Sequence, residues 1–421
     1  MAPPSHPSPE IVQPCSVMPR YVFEKGLRKV LPYYVNYQTH AKQRWVGRTL
    51  VETYVNDFGE PLDGVINDIH QGKLRVVTNV GTSLPSNAIT DPETLLQRKV
   101  DSKDVVYHLK HKHEPSIPWQ EEVPIVFEDD EIIVVNKPSG VPTHPSGNYM
   151  RNSLSEIVKE MYKFDSIWTC HRLDKVTSGV LILCKTRDSA IKFSNLLQDK
   201  KNKVKKIYLA RVKGEFPSRE LSYKCPIFAV NMNGYLQPGD LENLQADTTT
   251  MFQRLSYNRK LNESIVQCQP ISGKFHQIRI HLRNLGYPIS NDQFYDPDEA
   301  SGTYFAKSKL ELSLYERLFR AYPVFREAAA LGRQQTGPNS LDLLKVIQSS
   351  TDLNIQKQLR DLKRAHSDNL MSRKSAVCTE CKRPLFDEDH VANSSIYLHA
   401  LRFEYDKHIF ETDFPSWATI D

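Results

Sequence analysis

The sequence contains no apolar run long enough to form a membrane helix. Such a helix needs about 20 consecutive apolar residues, and no stretch of this chain approaches that length. Cysteine is also scarce, with 7 scattered residues in a chain of 421. An odd and scattered set does not form a disulfide framework, which is typical of a reducing compartment. We therefore expect no association with a membrane.

Neither sign of charge is in large excess. The chain has 55 basic and 50 acidic residues, for a formal net charge of +5. A polyanionic partner would therefore have to be bound by locally clustered charge rather than by overall attraction. The glycine-rich fingerprints of nucleotide-binding loops are absent as well, so the sequence indicates no nucleotide cofactor.

The sequence divides into three regions. Residues 1–20 are rich in proline and lack an apolar run, which predicts a flexible tail and argues against a signal peptide. Residues 21–119 have the pattern of a small α+β module, and residues 120–421 form a second domain with a helical insertion at about 296–393. We expect a cytoplasmic location, and mitochondrial and nuclear locations stay open.

The most informative stretch is Cys170–Cys184. Its second half, Val180–Cys184, is a short apolar run without helical period, which predicts a buried strand preceded by a loop. Polar side chains on a loop beside a rigid strand are often catalytic. The polar side chains of this loop are His171, Arg172, Asp174 and Thr177. Asp174 is the candidate reactive group, and the alternative is that these side chains only make the hydrogen bonds of a turn.

This loop resembles the signature of the RluA-type pseudouridine synthases. The string HRLDxxTSG at His171–Gly179 matches that signature, in which the Asp is the indispensable catalytic carboxylate, a role that falls here on Asp174. The resemblance implies an α+β pseudouridine synthase fold with a central mixed, mostly antiparallel sheet and a catalytic cleft. It also implies an RNA substrate, contacted by His171, Arg172 and Thr177.

Two further motifs of the family add catalytic candidates. The string KIYLA matches the family's KxYxA, whose Tyr stacks beside the target base and is the candidate proton acceptor, here Tyr208. The string HQIR ends in Arg279, which matches the Arg that pairs with the catalytic Asp. A guanidinium fork can bind a carboxylate bidentately and hold it ionised. Without the resemblance, Tyr208 would be read as strand packing and Arg279 as a helix-surface residue.

Other residues are expected to contact RNA. In the family, the loop that follows the first core hairpin approaches the active site, and here it begins at Lys137. Five lysines between residues 200 and 206 precede the strand of Tyr208, which favours phosphate binding over a merely solvated face. The expected contacts are Lys137, Lys203, Lys205, Lys206, His276 and Gln277. The match to the family then continues through Gly286–Ile289 to Asp292.

The module at residues 21–119 has a helical pattern at Val46–Val55 and a strand pattern at Gly72–Val80. It resembles the S4-type RNA-binding module that precedes the catalytic domain in many of these enzymes. Its candidate phosphate contacts are basic residues. They are Arg44, Arg48, Lys73, Arg75, Lys110, His111, Lys112 and His113.

A metal site has weaker support. His111 and His113 are of the residue type that binds metals, and Cys378–Cys381 is a CxxC, half of a zinc site. No second cysteine pair follows, so we expect no metal. We also expect no cofactor, because breaking an N-glycosidic bond and rejoining the base through carbon involves no redox change.

These motifs indicate an RNA pseudouridine synthase of the eukaryotic branch that modifies the anticodon arm of tRNA. Asp174 would act as nucleophile at the ribose or trigger glycal formation, and the sequence does not distinguish the two. The target uridine would have to be flipped out to reach it. The alternatives are a ribosomal RNA substrate and a non-catalytic RNA-binding protein of the same fold. No obligate protein partner is indicated.

Overall fold

The computed structural model describes residues 21–58, 60–119, 121–198, 204–224, 248–271, 273–274, 276–293, 295–296, 376–381, 383, 385–386, 388 and 394–419. These residues form two compact units. The smaller unit comprises Tyr21 and Val30–His113, and the larger comprises Val22–Lys29 and the described residues from Glu114 onward. No helix among them is long and apolar enough to cross a membrane. The tail at 1–20 and most of the insertion at 296–393 lie outside the described residues.

The described secondary structure consists of runs of short strands with single helices or a pair of helices between them. In chain order the strands are β1 (Tyr21–Glu24), β2 (Leu27–Val30), β3 (Tyr33–His40), β4 (Leu74–Val77), β5 (Ala88–Ile89), β6 (Val105–Lys112), β7 (Ile117–Pro118), β8 (Ile125–Glu128), β9 (Ile132–Lys137), β10 (Trp168–Thr169), β11 (Ser178–Cys184), β12 (Lys205–Lys213), β13 (Leu221–Lys224), β14 (Thr249–Asn258), β15 (Glu263–Pro270), β16 (Leu398–Tyr405) and β17 (His408–Glu411). The described α-helices are α1 (Leu50–Phe58), α2 (Leu62–His70), α3 (Pro92–Gln97), α4 (Leu154–Met161), α5 (Arg187–Gln198) and α6 (Gln277–Asn284).

The smaller unit is a four-stranded antiparallel sheet of order β3-β6-β4-β5 that packs against α1, α2 and α3. Leu74 and Val76 of β4 and Val106 of β6 share one face of this sheet, and they form a buried core with Ile69 and Leu95 from the helices. Alternation along the strands therefore gives the sheet its apolar face. The assignment of this unit to the S4 type stays a prediction.

The first helix starts later than its apolar spacing predicts. Thr49 Oγ1 accepts a hydrogen bond from the backbone N–H of Glu52 at 3.1 Å, and Glu52 Oε2 accepts one from the backbone N–H of Thr49 at 2.8 Å. This reciprocal pair is a capping box, which fixes the beginning of a helix. The helix predicted at Val46–Val55 is consequently α1, Leu50–Phe58.

The larger unit is built on a ten-stranded sheet. Its main order is β13-β14-β15-β12-β16-β11-β9-β8, with β10 paired to β11 and β17 paired to β16. The β11–β16 pair is parallel and the other described pairs of this sheet are antiparallel. The prediction of a mixed, mostly antiparallel central sheet is confirmed. Strands β1, β2 and β7 form a separate small sheet.

The centre of the large sheet is covered on both faces. Leu181 and Leu183 of β11 lie in one core cluster with residues of α4, such as Leu154. Val180 and Ile182 point to the opposite face and pack with Phe193 of α5. A strand that is buried on both faces requires apolar residues at successive positions. This arrangement explains why β11 reads in the sequence as an uninterrupted apolar run.

Candidate active site

The loop that carries Asp174 leads directly into β11. The backbone N–H of Thr177 donates to the carbonyl of Asp174 at 3.1 Å, which closes a turn. The strand then begins at Ser178, and Gly179 pairs with Ala400 of β16. The loop is thus held by the most buried strand of the sheet, as the sequence predicts.

The end of β9 and the segment after it hold this loop from the other side. The Lys137 ammonium group donates to the carbonyls of Pro138, Lys175 and Thr177 at 2.9, 3.1 and 2.8 Å. Thr143 Oγ1 accepts from the backbone N–H of Leu173 at 3.2 Å and donates to its carbonyl at 2.9 Å. Because these bonds reach the loop both before and after Asp174, the carboxylate is bracketed on both sides.

Lys137, an expected RNA contact, lies inside the protein. Its side chain is fully buried, and its three N–H groups are used by three carbonyls, so no donor remains for RNA. Burial lowers the pKa of Lys137 to about 7, although the charge of Asp174 opposes the shift. The prediction of an RNA contact at Lys137 is therefore wrong, and this residue stabilises the active-site loop instead.

Asp174 faces two side chains from the start of α6. Its Oδ2 atom lies 3.4 Å from Arg279 Nη1 and 3.6 Å from His276 Nε2. Burial by itself would raise the pKa of Asp174, but the electrostatic effects of His276, Arg279 and Arg172 outweigh it and lower this pKa. The carboxylate is therefore ionised at neutral pH. Its side chain keeps 21% of its surface exposed, so a substrate can reach it.

The guanidinium fork of Arg279 binds the carboxylate of Asp292 and not that of Asp174. Arg279 Nε donates to Asp292 Oδ2 at 2.7 Å, and Nη2 donates to Asp292 Oδ1 at 2.8 Å. Asp174 receives only one longer contact, from Nη1. The structure brings Arg279 and Asp174 together as predicted, but the expected bidentate contact between them is wrong. A buried arginine needs a buried counter-ion, and that rule could have directed attention to Asp292 in the sequence.

His276 occupies a strained position at the beginning of α6. Its backbone is left-handed, with φ of 50°, a region that residues other than glycine seldom adopt. Its Nε2 accepts from Arg279 Nη1 at 3.1 Å, and its Nδ1 bonds the hydroxyl of Tyr295 at 2.9 Å. Strain of this kind clusters at functional sites. His276 therefore lies in the candidate active site, in contact with Asp174 and Arg279.

Tyr208 lies on β12 between the two core clusters of the large sheet. Burial raises the pKa of its hydroxyl, and the charge of Asp174 raises it further. The phenol is therefore neutral at physiological pH. The structure brings Tyr208 into the electrostatic range of Asp174.

Two other predicted substrate contacts are engaged inside the protein. His171 Nε2 accepts from the backbone N–H of Ile182 at 3.1 Å, and burial lowers the pKa of His171 to about 3. Gln277 is buried, and its amide donates to Thr249 and Thr250 at 3.1 and 3.0 Å. Both side chains thus hold strands and loops together. Thr177 is likewise buried.

Arg172 is an exposed cation beside the site, and its charge acts on Asp174. In the lysine run, Lys205 lies 4.0 Å from Glu404, and Lys206 lies 5.5 Å above the ring of Phe403 with its pKa lowered by burial. Lys203 lies outside the described residues. Arg172 and Lys205 are accordingly the described candidates for phosphate contacts at this site.

The basic residues of the smaller unit are mostly paired. Arg44 and Arg48 both contact Asp57, and Lys110 contacts Glu60. Arg75 lies 4.6 Å from the ring of Tyr107, an arrangement in which a guanidinium stacks on an aromatic face. A guanidinium that is stacked in this way can still bind a phosphate.

The candidate metal ligands form one pair in each unit. The rings of His111 and His113 are 4.7 Å apart on and beside β6. In the larger unit, the thiols of Cys378 and Cys381 interact across a turn in which the Cys378 N–H donates to the carbonyl of Arg383 at 2.8 Å. Structural zinc takes four ligands, and each unit by itself supplies two.

The chain belongs to the RNA pseudouridylate synthase family. A model of that family, described as RNA pseudouridylate synthase, matches residues 131–284. This range includes the loop of Asp174, the strand of Tyr208 and the helix of Arg279. The family is one of isomerases that act on uridine in RNA.

Several relatives align over nearly the whole chain. Pseudouridylate synthase RPUSD2 of Mus musculus is 30% identical, over 95% of this chain and 73% of its own length. The tRNA pseudouridine(31) synthase of Saccharomyces cerevisiae is 30% identical, over 94% of this chain and 97% of its own length. The mitochondrial tRNA pseudouridine(32) synthase of the same yeast is 28% identical, over 94% of this chain and 78% of its own length. Among solved structures, Human RNA Pseudouridylate Synthase Domain Containing 1 is 17% identical, with a TM-score of 0.38 over 71% of this chain and 86% of that one.

Proposed function

We propose that this chain isomerises uridine to pseudouridine in the anticodon arm of tRNA. Two of its relatives are named for positions 31 and 32 of tRNA, and both positions belong to that arm. The observation that carries the proposal is the ionised Asp174, held on an anchored loop and in contact with Arg279 Nη1.

Asp174 is the proposed catalytic carboxylate. The reaction breaks the bond from C1′ to N1 of uracil and forms a bond from C1′ to C5, after which the proton on C5 must leave. Asp174 would either attack C1′ or remove a proton from the ribose to give a glycal. Both routes need an ionised carboxylate oxygen, which the lowered pKa of Asp174 supplies.

Tyr208 is proposed as a proton carrier beside the base. Because burial raises the pKa of its hydroxyl, Tyr208 has no phenolate with which to take up the C5 proton directly. A neutral phenol can still accept a proton when it passes its own proton on at the same time. Its ring would stack against the uracil, as in the family motif.

Contacts with the RNA backbone are proposed for Arg172, Lys205 and the other lysines between 200 and 206. Side chains of this type bind phosphates with a strong dependence on salt concentration. We further propose that residues 21–119 form an RNA-binding domain, that residues 120–421 form the catalytic domain, and that the protein acts in the cytoplasm. One relative is named as mitochondrial, so fractionation should examine mitochondria and nuclei as well.

The substrate is tested by mapping pseudouridines in total RNA from cells that lack the protein. We expect loss at one or both of positions 31 and 32 of particular tRNAs, and restoration by the wild-type chain but not by Asp174→Asn. Loss confined to ribosomal RNA would reject the tRNA substrate. An unchanged map, combined with retained RNA binding by the purified protein, would favour a binding function without catalysis.

A further inference from the structure

Asp292 is buried beside the candidate active site without contacting Asp174. It follows the short segment after α6, and 1% of its surface is exposed. Its two carboxylate oxygens accept from Nε and Nη2 of Arg279 at 2.7 and 2.8 Å. Such a parallel, bidentate pair has the most restrictive geometry available to a guanidinium group.

The remaining contacts of Arg279 are made by Nη1. This nitrogen donates to His276 Nε2 at 3.1 Å and to Asp174 Oδ2 at 3.4 Å. The guanidinium carbon also lies 5.0 Å from the ring of Tyr295. Four of the five N–H groups of an arginine therefore have partners in different directions. Because the Nε and Nη2 edge is bound to Asp292, Arg279 can present this side-on fork to Asp174 only if it leaves Asp292.

The consequence for Asp174 is an asymmetric environment. Arg279 Nη1 and His276 Nε2 both approach the same oxygen of Asp174, Oδ2, at 3.4 and 3.6 Å. Among the described residues, no hydrogen bond or ion pair reaches Oδ1. This second oxygen is the one whose lone pairs stay available for reaction. A forked contact with Arg279 would engage both oxygens and lower their reactivity toward a substrate.

We propose that Asp292 is a positioning residue, which keeps the fork of Arg279 away from Asp174 and so leaves Asp174 Oδ1 free to react. The inference rests on the proposed function, since it concerns the reactivity of the catalytic carboxylate. Asp292 also neutralises the charge of the buried arginine, which holds Arg279 in place before RNA binds. Asp292 acts through Arg279 and does not touch the substrate.

The test measures single-turnover release of tritium from tRNA labelled at C5 of uridine. Asp292→Asn preserves the shape of the side chain but replaces one acceptor oxygen by an NH2 group, which releases half of the fork. We expect the rate to fall by roughly 10- to 100-fold, the scale of a misplaced catalytic group. The dissociation constant for tRNA should change by less than about twofold, because Asp292 makes no contact with the substrate.

A double-mutant cycle separates positioning from general damage to the fold. If Asp292 acts through Arg279, then Asp292→Asn should slow the Arg279→Lys enzyme by no more than about twofold further. Additive losses in the two backgrounds would show that Asp292 acts independently of Arg279, and would overturn the proposal.

Two more variants cover the case in which Asp292→Asn does not fold. Asp292→Glu keeps the charge but displaces the guanidinium, so we expect a folded enzyme with a lowered rate and unchanged tRNA affinity. A wild-type rate in this variant would refute the positional role. Asp296→Asn is the matched control, since Asp296 is buried four residues further on and pairs with Lys213 at 2.8 Å. It should lose stability but keep the wild-type rate among folded molecules.

The wild-type enzyme distinguishes this inference from the proposed function. If wild-type protein releases no tritium from any tRNA, the proposed function fails. If the wild type is active and Asp292→Asn and Asp292→Glu are equally active, the function stands and only the role of Asp292 is rejected.

Discussion

A Cβ atom on Gly179 would lie 2.2 Å from the carbonyl oxygen of Ala400. These two residues are partners in the parallel pairing of β11 and β16. The backbone of Gly179 also has φ of +109°, which side chains rarely permit. The glycine of the TSG motif thus allows two strands to approach at the point where the Asp174 loop ends.

Replacing Gly179 should therefore be severely destabilising. We expect Gly179→Ala to lower the free energy of unfolding by roughly 3 kcal/mol or more, because the added methyl group meets backbone that cannot move aside. Chemical denaturation monitored by circular dichroism gives this value. Gly286→Ala is the control, since Gly286 has φ of +85° but a Cβ atom there would meet nothing within 4 Å. It should cost about 1 to 2 kcal/mol, and equal losses in both variants would contradict the clash.

The buried ammonium group of Lys137 predicts a pH-dependent stability. Its pKa is lowered to about 7 from 10.5, so between these values the unfolded chain binds the proton more tightly than the folded chain. The contribution of Lys137 to the free energy of unfolding should rise with pH from about 7 to about 10.5, by at most about 1.4 kcal/mol per pH unit. Below about pH 7 Lys137 is protonated in the folded chain as well, so its buried charge remains and the rise in the free energy of unfolding is absent.

The measurement compares wild type with Lys137→Met in denaturation series between pH 6.5 and about 9.5, a range set by the shifted and ordinary pKa values. Wild-type stability should increase relative to the variant as the pH rises. Lys192→Met serves as the control, because Lys192 is 63% exposed, and its curve should run parallel to that of the wild type. Parallel curves for Lys137→Met as well would show that Lys137 does not titrate in this range.

The sequence was sufficient to predict elements whose cause is local. Val180–Cys184 could be identified as a buried strand because a strand covered on both faces must be apolar at every position. The loop before it, and Asp174 on that loop, followed from the same run together with the family motif. The start of α1 was misplaced because the reciprocal bonds of Thr49 and Glu52 outweighed the apolar spacing that precedes them.

Contacts between residues that are distant in the sequence could not be predicted from local sequence pattern. Lys137 is a lysine in a turn motif, and nothing near it in the sequence reveals the carbonyls of Lys175 and Thr177 that surround it. Asp292 stands 13 residues after Arg279, beyond the range of helix periodicity. Its role emerges only when α6 and the following segment fold back on each other. Both residues contact the candidate site through partners that are distant in sequence.

The lysine run should govern the salt dependence of RNA binding. Replacing Lys200, Lys201, Lys203 and Lys205 with Gln should weaken binding and flatten the plot of log affinity against log salt, by up to about 0.7 to 0.9 in slope for each phosphate that is no longer bound. Titration of labelled tRNA at several salt concentrations measures this slope. Lys206→Gln alone should leave the slope nearly unchanged, because the ammonium group of Lys206 already packs over the ring of Phe403, 5.5 Å from its centroid. An unaltered slope in the fourfold variant would identify the run as solvated surface.

Tyr208→Phe should slow the reaction without loss of RNA binding. The ring can still stack on the base, but no hydroxyl remains to relay a proton, and such a relay contributes about 100-fold or more. Single-turnover tritium release gives the rate, and filter binding gives the affinity. Tyr257→Phe is the control, since the Tyr257 hydroxyl bonds Asn262 in a hairpin at 3.0 Å. A wild-type rate for Tyr208→Phe would restrict Tyr208 to stacking.

Asp174→Asn is the decisive variant. It keeps the volume of the side chain and removes its charge, so folding and tRNA binding should survive while isomerisation disappears. A group that makes or triggers the breaking bond contributes to the transition state and not merely to binding. Tritium release from C5-labelled tRNA reports the reaction directly, because rejoining the base through C5 expels the hydrogen at that carbon. Asp188→Asn, at an exposed carboxylate in the first turn of α5, should be fully active. Release of tritium by Asp174→Asn at the wild-type rate would mean that another group carries the chemistry, and the assignment of this site would fall.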